Sequence, residues 1–496
     1  MKRLLFAQIK VGPSATLWCA LLLLAFSTIA ATSPAQTFTT LADFNKKNGG
    51  NPHAPLVQGL NGNFYGTTTD AGANGAGTIY SITPAGVLKV LHSFDGTDGS
   101  EPYAGLVLGA NGNFYGTTDG GGAYSSGTVF EITPGGKLTT LYNFCTLTGC
   151  ADGQYPGAAL VQAGNGNFYG ETNSSGANGY GTVFAITPAG KLTTLYSFCS
   201  LPNCVDGIAP DGAIVLAENG NIYGTTEYNS NAVDETGGTV FELTPAGKLT
   251  TLYNFCSQGG QTCTDGYLPV AGLMQANNGM LYGTTLYGGD EENDGTFYQI
   301  TTTGKLTTLY VFCRLANCAD GSRPFGPPAQ ANDGNFYGTT LLGGGNGNIY
   351  EMTAAGAATP LYSFCTEANC TDGGDPEAAL LQSTNGTLYG TNLYGGGVTG
   401  TSCSLSGCGT VYSLSVGLGP LVQTVPTSGK VGAKVTILGN NLTGTTAVTF
   451  NGTASAVTVV SPTEITTTVP SGATSGKVKV TTPSGVISTY VVFRVT

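Results

Sequence analysis

Tryptophan is almost missing from the 496 residues: the single copy, Trp18, lies in the apolar leader, so none remains beyond residue 35. Indole platforms for stacking sugars are therefore excluded there. Histidine is nearly as scarce, with only His53 and His92. No Ser-His-acid arrangement can be read from motifs, and no "GxSxG" elbow is present. Charged residues make up 9% of the chain, too few for many long amphipathic helices. Positive charge is the scarcer sign, with 17 Lys and Arg against 29 Asp and Glu. Phosphate backbones need clustered basic residues, so nucleic acid is a poor partner. After the leader, no apolar run is long enough to span a bilayer as a helix.

What is abundant is glycine, with 78 copies, alongside 25 Tyr and 21 Phe. Glycine alone would suit a disordered linker, but that many aromatics need buried cores. The combination points to an all-β chain rich in tight turns. The leader reads as a signal peptide over residues 1–35. Lys2, Arg3 and Lys10 form a basic start, residues 15–31 are apolar, and Ser33-Pro34-Ala35 supplies small residues for cleavage. Without those three basic residues, the mature chain is more acidic still than the full-length net charge of -12. An uncleaved anchor is the rival reading. Cys19 lacks lipobox-like neighbours. The expected location is secreted, extracellular or at the cell surface.

Cysteine usage fits export. Setting Cys19 aside, the rest fall into close pairs: Cys145/Cys150, Cys199/Cys204, Cys256/Cys263, Cys313/Cys318, Cys365/Cys370 and Cys403/Cys408. Regular spacing and an even count read as local disulfides. Zinc is the rival, but the pairs recur once per repeat and not in facing sets of four.

One pattern recurs seven times, marked by Tyr65, Tyr115, Tyr169, Tyr223, Tyr282, Tyr337 and Tyr389. Each unit offers four short strands. "ALVQ" is strand A, an Asn-Gly turn leads to "NFYGTT" as B, "GTVFEIT" is C, and "TPAG" turns into "KLTTLYNF" as D. The Asn-Gly step is expected to form a type I′ hairpin turn. Repeats of this length with four strands predict a seven-bladed β-propeller over residues 36–417. The last copy lacks strand D, and Thr37–Leu41 matches one. The N-terminal strand is expected to complete the last blade and leave no open edge. An open solenoid is the alternative. Antiparallel order puts the uniform A–B and C–D turns on one face. The variable D–A and B–C connections, with all six cysteine pairs, lie on the other, where function is expected.

At "GNFYGTT" and "GTVFEITPAGKLTTLYNF" the chain resembles the GloVer tandem repeat of exported bacterial proteins. The resemblance implies an exported, surface-associated protein and supplies no catalytic residues. No terminal apolar helix follows the repeats here. Residues 418–496 resemble an IPT/TIG domain, through Val425–Leu442, Ala447–Gly452, Ile465–Gly485 and the closing "VVFRV". That resemblance implies an immunoglobulin-like β-sandwich. Short Val/Thr strands between Gly, Pro and Asn turns support one independently.

Six Asp-Gly steps, at Asp98, Asp152, Asp206, Asp265, Asp320 and Asp372, read as turn caps because they repeat. Acids that break the repeat carry more information. Glu171 stands where most copies have Thr, and Asp290-Glu291-Glu292-Asn293-Asp294 fills the fifth B–C loop. Tyr228, Tyr287 and Tyr394 follow strand B in three copies. They either pack between blades or line the open face. Glu171, Tyr228, Tyr287 and Tyr394 are the candidate ligand-binding residues. No catalytic set is assigned and no cofactor is expected, although the acidic loops leave room for calcium. The leading expectation is a noncatalytic binding or scaffold protein for an extracellular glycan or protein. A polysaccharide hydrolase or lyase using Glu171, and a structural envelope component, are the alternatives.

Overall fold

The computed structural model describes residues 36–229, 237–257, 263–397 and 407–496. The leader and Cys403 lie outside the described residues. The described chain is all-β, its only helices being single short turns such as Thr148–Cys150. None of its helices is long and apolar enough to cross a membrane.

Residues 36–417 form seven four-stranded antiparallel sheets. In the third sheet strand A is Val161–Gln162, B is Phe168–Thr172, C is Thr182–Ile186 and D is Leu192–Ser197. The seventh sheet supplies only Leu381–Gln382, Leu388–Asn392 and Thr410–Ser415 from its own repeat. Its fourth strand is Thr37–Asp43, antiparallel to Thr410–Ser415. Every residue of strand B is buried in each sheet, which is why these strands show no polar/apolar alternation.

One turn differs from expectation. In the A–B turn Gly62 has φ 81°, but Asn61 does not take a positive φ, so this is not a type I′ turn. The Gly62 N–H donates to the Gly59 carbonyl at 2.9 Å, and Asn61 Oδ1 accepts from the Asn63 N–H at 3.1 Å. A type I turn closed by a left-handed glycine meets both bonds. The asparagine acts through its side chain and not through its backbone.

Aromatic and amide contacts join each sheet to the next. Tyr65 packs on Phe114 at 4.0 Å, and Tyr115 on Phe168 at 4.1 Å. The same contact joins the seventh sheet to the first, with Tyr389 on Phe64 at 4.0 Å. Strand A glutamines repeat the lesson. Gln162 accepts from the Ala110 N–H at 2.9 Å, and Gln58 accepts from the Thr384 N–H at 3.0 Å, across the chain's two ends. The packing therefore runs in a cycle.

Residues beyond the repeats form two further four-stranded sheets. One contains Gln423–Val425, Lys434–Leu438, Glu464–Thr468 and Thr458–Ser461; the other contains Thr453–Ser455, Ala447–Phe450, Val478–Thr482 and Gly485–Ser488. They share one core that includes Val435, Ile437, Phe450, Val480 and Phe493. This unit rests on the A–B side of the repeats. Thr463 Oγ1 donates to the Leu60 carbonyl at 2.7 Å, Asn332 Nδ2 to Gly419 at 2.7 Å, and the Leu421 N–H to Thr384 at 3.1 Å.

Five disulfides have both cysteines among the described residues: Cys145–Cys150, Cys199–Cys204, Cys256–Cys263, Cys313–Cys318 and Cys365–Cys370. All lie on D–A connections.

The sixth expected bridge, Cys403–Cys408, falls partly outside the described residues. Cys408 is disulfide-bonded, but its bridge is not one of these five. Its expected partner, Cys403, lies outside the described residues, so the predicted Cys403–Cys408 pairing is not confirmed. The position of Cys408 also differs from that of the paired cysteines. It lies on a B–C connection, between strands Leu388–Asn392 and Thr410–Ser415, and not on a D–A connection. The reason is the ring closure: the seventh repeat has no strand D of its own to lead into a D–A loop. Cys408 is 1% exposed and packs in one core with Phe44, Leu56 and Tyr389. Its carbonyl accepts the Asn51 N–H at 2.9 Å. It therefore helps to join the last repeat to the first.

If the cycle is closed in solution, Phe64→Ala and Phe114→Ala should each cost about 3–5 kcal/mol in denaturant unfolding. Both rings are buried to within 1% and meet the same kind of partner. A much smaller loss for Phe64→Ala would mean that the first and seventh sheets are apart.

Candidate functional site

The D–A connection carries a second repeated step after Asp-Gly, a residue followed by proline. The residue before proline has a left-handed φ in all seven copies: Asn51 56°, Glu101 54°, Tyr155 58°, Ala209 53°, Leu268 54°, Arg323 58° and Asp375 53°. Pre-proline residues favour extended backbone, and a non-glycine residue at positive φ costs on the order of 1–3 kcal/mol. The surroundings hold it there. Its carbonyl accepts the N–H of the residue just after strand B, as in Asp119 to Glu101 at 3.0 Å and Asn173 to Tyr155 at 3.0 Å.

The consequence is where the next side chain goes. The residues after proline are His53, Tyr103, Gly157 and Asp211, then Val270, Phe325 and Glu377. All seven line one cavity of about 490 Å³, together with Tyr155, Asp119 and Asn173. With one residue from every sheet, the cavity sits where all seven meet. It opens on the D–A/B–C face, opposite the C-terminal unit.

Its chemistry is acidic and aromatic. Tyr103 and Tyr155 are about two-fifths exposed, at 41% and 40%. His53 Nδ1 pairs with Glu377 Oε2, and its ring lies 4.9 Å from that of Tyr103. Burial pushes the Asp119 carboxyl up to about 6, helped by the nearby charges of Asp211 and Glu101. Asp211 is also raised by burial, against the opposing effect of a hydrogen bond from Asn173. Gly157 leaves the gap between these acids open. A Cβ there would sit 3.0 Å from Asp211 Oδ1 and 3.8 Å from Asp119 Oδ1.

Glu171 is 1% exposed and lies on strand B, behind this cluster. At the same register, threonines of five other repeats bridge to the following sheet, while the Thr284 hydroxyl has no partner. Thr117 Oγ1 donates to Ala158 at 3.2 Å and Thr225 Oγ1 to Ala271 at 3.2 Å. The corresponding neighbour of Glu171 is Gly212, next to Asp211. Neither Glu171 carboxylate oxygen has a hydrogen-bond partner. Burial first, and the Asp211 charge second, hold its carboxyl well above the usual range.

The three tyrosines are not brought together with Glu171, and none of the four lines the cavity. Tyr228, Tyr287 and Tyr394 occupy one register position, bridged to Ile208, Tyr267 and Gly374 of the D–A connections. Tyr287 stacks on Tyr267 at 5.5 Å and lies under the Arg323 guanidinium at 5.2 Å. They sit one residue past the position that puts Asp119 and Asn173 in the cavity.

The aspartates of the Asp-Gly steps have structural partners. Asp152 accepts from Tyr142 at 2.8 Å and from the Thr146 N–H at 2.9 Å, and the same Tyr-to-Asp bond recurs at Asp206, Asp265, Asp320 and Asp372. Asp98 pairs instead with His92 Nε2 at 2.7 Å. In the fifth B–C loop, Asp294 accepts from Ser322, and Asn293 donates to Tyr267 at 2.7 Å. Asp294 also lies near Cys313 and Cys318, but those sulfurs are joined to each other and offer no thiolate. Sequence reasoning missed the post-proline ring. Its signal was present: a proline fixed in all seven copies, each time followed by a different side chain.

The model of the Gloeobacter/Verrucomicrobia repeat matches residues 26–156, 107–290 and 269–485. The chain belongs to this repeat family. No curated protein matches it. Among solved structures, the repeat protein is similar to the extracellular domain of a putative hybrid two-component system from B. thetaiotaomicron. There the identity is 11%, the TM-score 0.48, and the match covers 92% of this chain and 59% of that one. It is also similar to a putative 6-phosphogluconolactonase from Bacteroides uniformis, at 16% identity and TM-score 0.41, covering 71% of this chain and 98% of that one. The family and the five disulfides are consistent with an extracellular repeat protein. No activity passes from the neighbours to this chain.

Asp119 gives a direct probe of the cluster. Carboxyl NMR should show its midpoint near 6, and Asp211→Asn should lower it part of the way, because burial, the larger cause, remains. The unfolded chain releases this proton at lower pH than the folded one. Asp119 should thus cost stability as pH rises from about 4 to about 6. An unperturbed midpoint would mean that the acids are apart.

Proposed function

We propose that this protein is a secreted, noncatalytic binding protein in which a seven-bladed β-propeller presents its central cavity to the end of an extracellular glycan. The cycle of seven sheets, with the N-terminal strand completing the last, supports the propeller. The two facing sheets of residues 418–496 support an immunoglobulin-like, IPT/TIG-type module. That module packs over the A–B side and leaves the D–A/B–C side for a partner.

One observation carries the reading: a uniform scaffold turns seven different side chains into one cavity. Variation on a fixed frame is what recognition needs. Its size is within the range of small-ligand pockets. Exposed Tyr103 and Tyr155, with Phe325 in the same cavity, offer faces for a sugar ring, while the acids accept hydrogen bonds from hydroxyls. Tyr228, Tyr287 and Tyr394 form an outer rim that meets the rest of a longer chain.

A glycan array with the oxidised mature protein tests this. Tyr103→Ala with Phe325→Ala should weaken any hit at least about tenfold, by loss of two buried contacts. The triple change of Tyr228, Tyr287 and Tyr394 to Ala should cost less. Full binding by the double variant would remove the cavity from the account. A protein partner is the reading left if no glycan binds. A second reading, a hydrolase or lyase, draws on the raised carboxyl of Asp119 beside Asp211, since an acid catalyst needs such a group. Incubation of bound glycans distinguishes it: cleavage that disappears in Asp119→Asn would make the protein an enzyme.

A further inference from the structure

We infer that the A–B side of the repeats holds a second binding site, for a carboxylic acid with a hydrocarbon body, whose carboxylate meets Arg494 and whose chain lies along the first residues of the A strands. This site is separate from the D–A/B–C cavity and does not depend on what that cavity binds.

The first observation is a roof that leaves the space beneath it unfilled. The C-terminal unit stands on the repeats at their A–B turns. Besides its contacts at Leu60, Asn332 and Thr384, Arg494 Nη1 donates to the Ala217 carbonyl. Gly164 lies so close that a Cβ there would sit 2.6 Å from Ser428 Oγ. These supports come from the first, third, fourth, sixth and seventh sheets. Between them lie two adjoining cavities of about 370 and 330 Å³, which share Met274, Thr427 and Val491. Each is within the range of small-ligand pockets, which favour boundaries between domains.

The second is an apolar wall. Each strand A opens with a half-buried apolar residue. Val161, Val215, Met274, Ala329 and Leu381 line these two cavities. The glutamines beside them are engaged by the sheets. Gln330 accepts from the Asn277 N–H at 3.1 Å and donates to Gly334 at 2.9 Å, and Gln382 holds Asn332 through both ends of its amide. From the roof, Val491 belongs to both cavities and remains 58% exposed. Apolar surface left wet in a cleft gains from being covered by hydrocarbon.

The third is a cation without an anion. Arg494 lines the smaller cavity, and its Nε is enclosed with no hydrogen-bond partner. Among the described residues it forms no ion pair. Burial pulls the guanidinium down from its usual range, against the opposing charge of Glu218, yet arginine keeps its proton in proteins. Glu218 is the one acid lining either cavity, and it is exposed. In the larger cavity the Tyr490 hydroxyl is enclosed too and lacks a well-formed hydrogen bond, with the Asn277 side chain as a polar neighbour. Enclosed donors without acceptors are costly, a charged one most of all. A carboxylate answers the guanidinium, whose planar fork suits it. An apolar body on that carboxylate answers the wall.

The test is calorimetric titration of sodium octanoate into the mature protein, with octanol and octylamine as matched probes and thermal melts in parallel. One octanoate per chain is expected. Octanol should bind at least about tenfold more weakly, because it makes no charged hydrogen bond to Arg494, and octylamine should not bind. Arg494→Gln should weaken octanoate at least about tenfold and leave octanol unchanged. Val491→Trp, at an exposed position, should fill the space and abolish both without lowering the melting temperature. Absence of octanoate binding would overturn the inference. So would equal affinity for octanoate and octanol, or wild-type octanoate affinity in either variant. Joint loss of octanoate and octanol in Arg494→Gln would trace the effect to the seating of the roof and overturn the carboxylate contact. Tighter binding of a short peptide ending in a free leucine carboxylate would overturn the alkyl acid in favour of a chain terminus.

Discussion

The structure depends on a joint built from Asp-Gly. At Asp152 the carboxylate takes the Tyr142 hydroxyl from strand D of the second sheet, together with backbone N–H groups of its own loop. The following glycine then presses on strand B of the third sheet. A Cβ at Gly153 would lie 2.2 Å from Thr172 Oγ1, and its φ of 97° also suits glycine. That Thr172 hydroxyl is in turn paired with Thr182 at 2.9 Å. One buried cluster therefore fixes the exit of one sheet, the entry of the next and the end of its central hairpin. The close approach at glycine recurs in all seven copies, at Gly49, Gly99, Gly207, Gly266, Gly321 and Gly373 as well as Gly153. Where the strand D tyrosine changes, another side chain takes over, as His92 does with Asp98.

This joint explains why the cavity is built as it is. Two residues after the glycine the chain is forced into a left-handed turn before proline. The strain is tolerated because the adjoining backbone bond and the joint leave no alternative. The side chain after proline is then delivered to the axis irrespective of its chemistry. Function can change there by single substitutions while the packing of the sheets is untouched. Glu171 is an exception of another kind, a change inside the scaffold itself, and it occurs close to the Asp211 charge.

Much of this was legible in the sequence. Seven marker tyrosines, the missing last strand and the early copy of it anticipated the sheets, their order and the strand Thr37–Asp43. The Asp-Gly steps read correctly as turn caps, and the face bearing the variable loops is the one with the cavity. Glu171 stood out because it broke a repeat. What sequence could not supply was direction. Nothing in the pattern says that the residue after proline points inward while Tyr228, Tyr287 and Tyr394 sit in a separate register. Nor does it tell that Asp119 and Asp211, from different repeats, meet across Gly157. These facts follow from closing the cycle, which brings together residues more than fifty positions apart. The Asn-Gly turn shows the limit locally, since the dipeptide marked the turn but not its type.

The central claim is that one site is assembled from all seven repeats. Hydrogen exchange measured with and without the strongest glycan found on an array tests it most directly. The account predicts slowed exchange in the proline-containing D–A segments of several non-adjacent repeats at once, with the A–B turns unchanged. Slowing confined to one loop, or to residues 418–496, would contradict it.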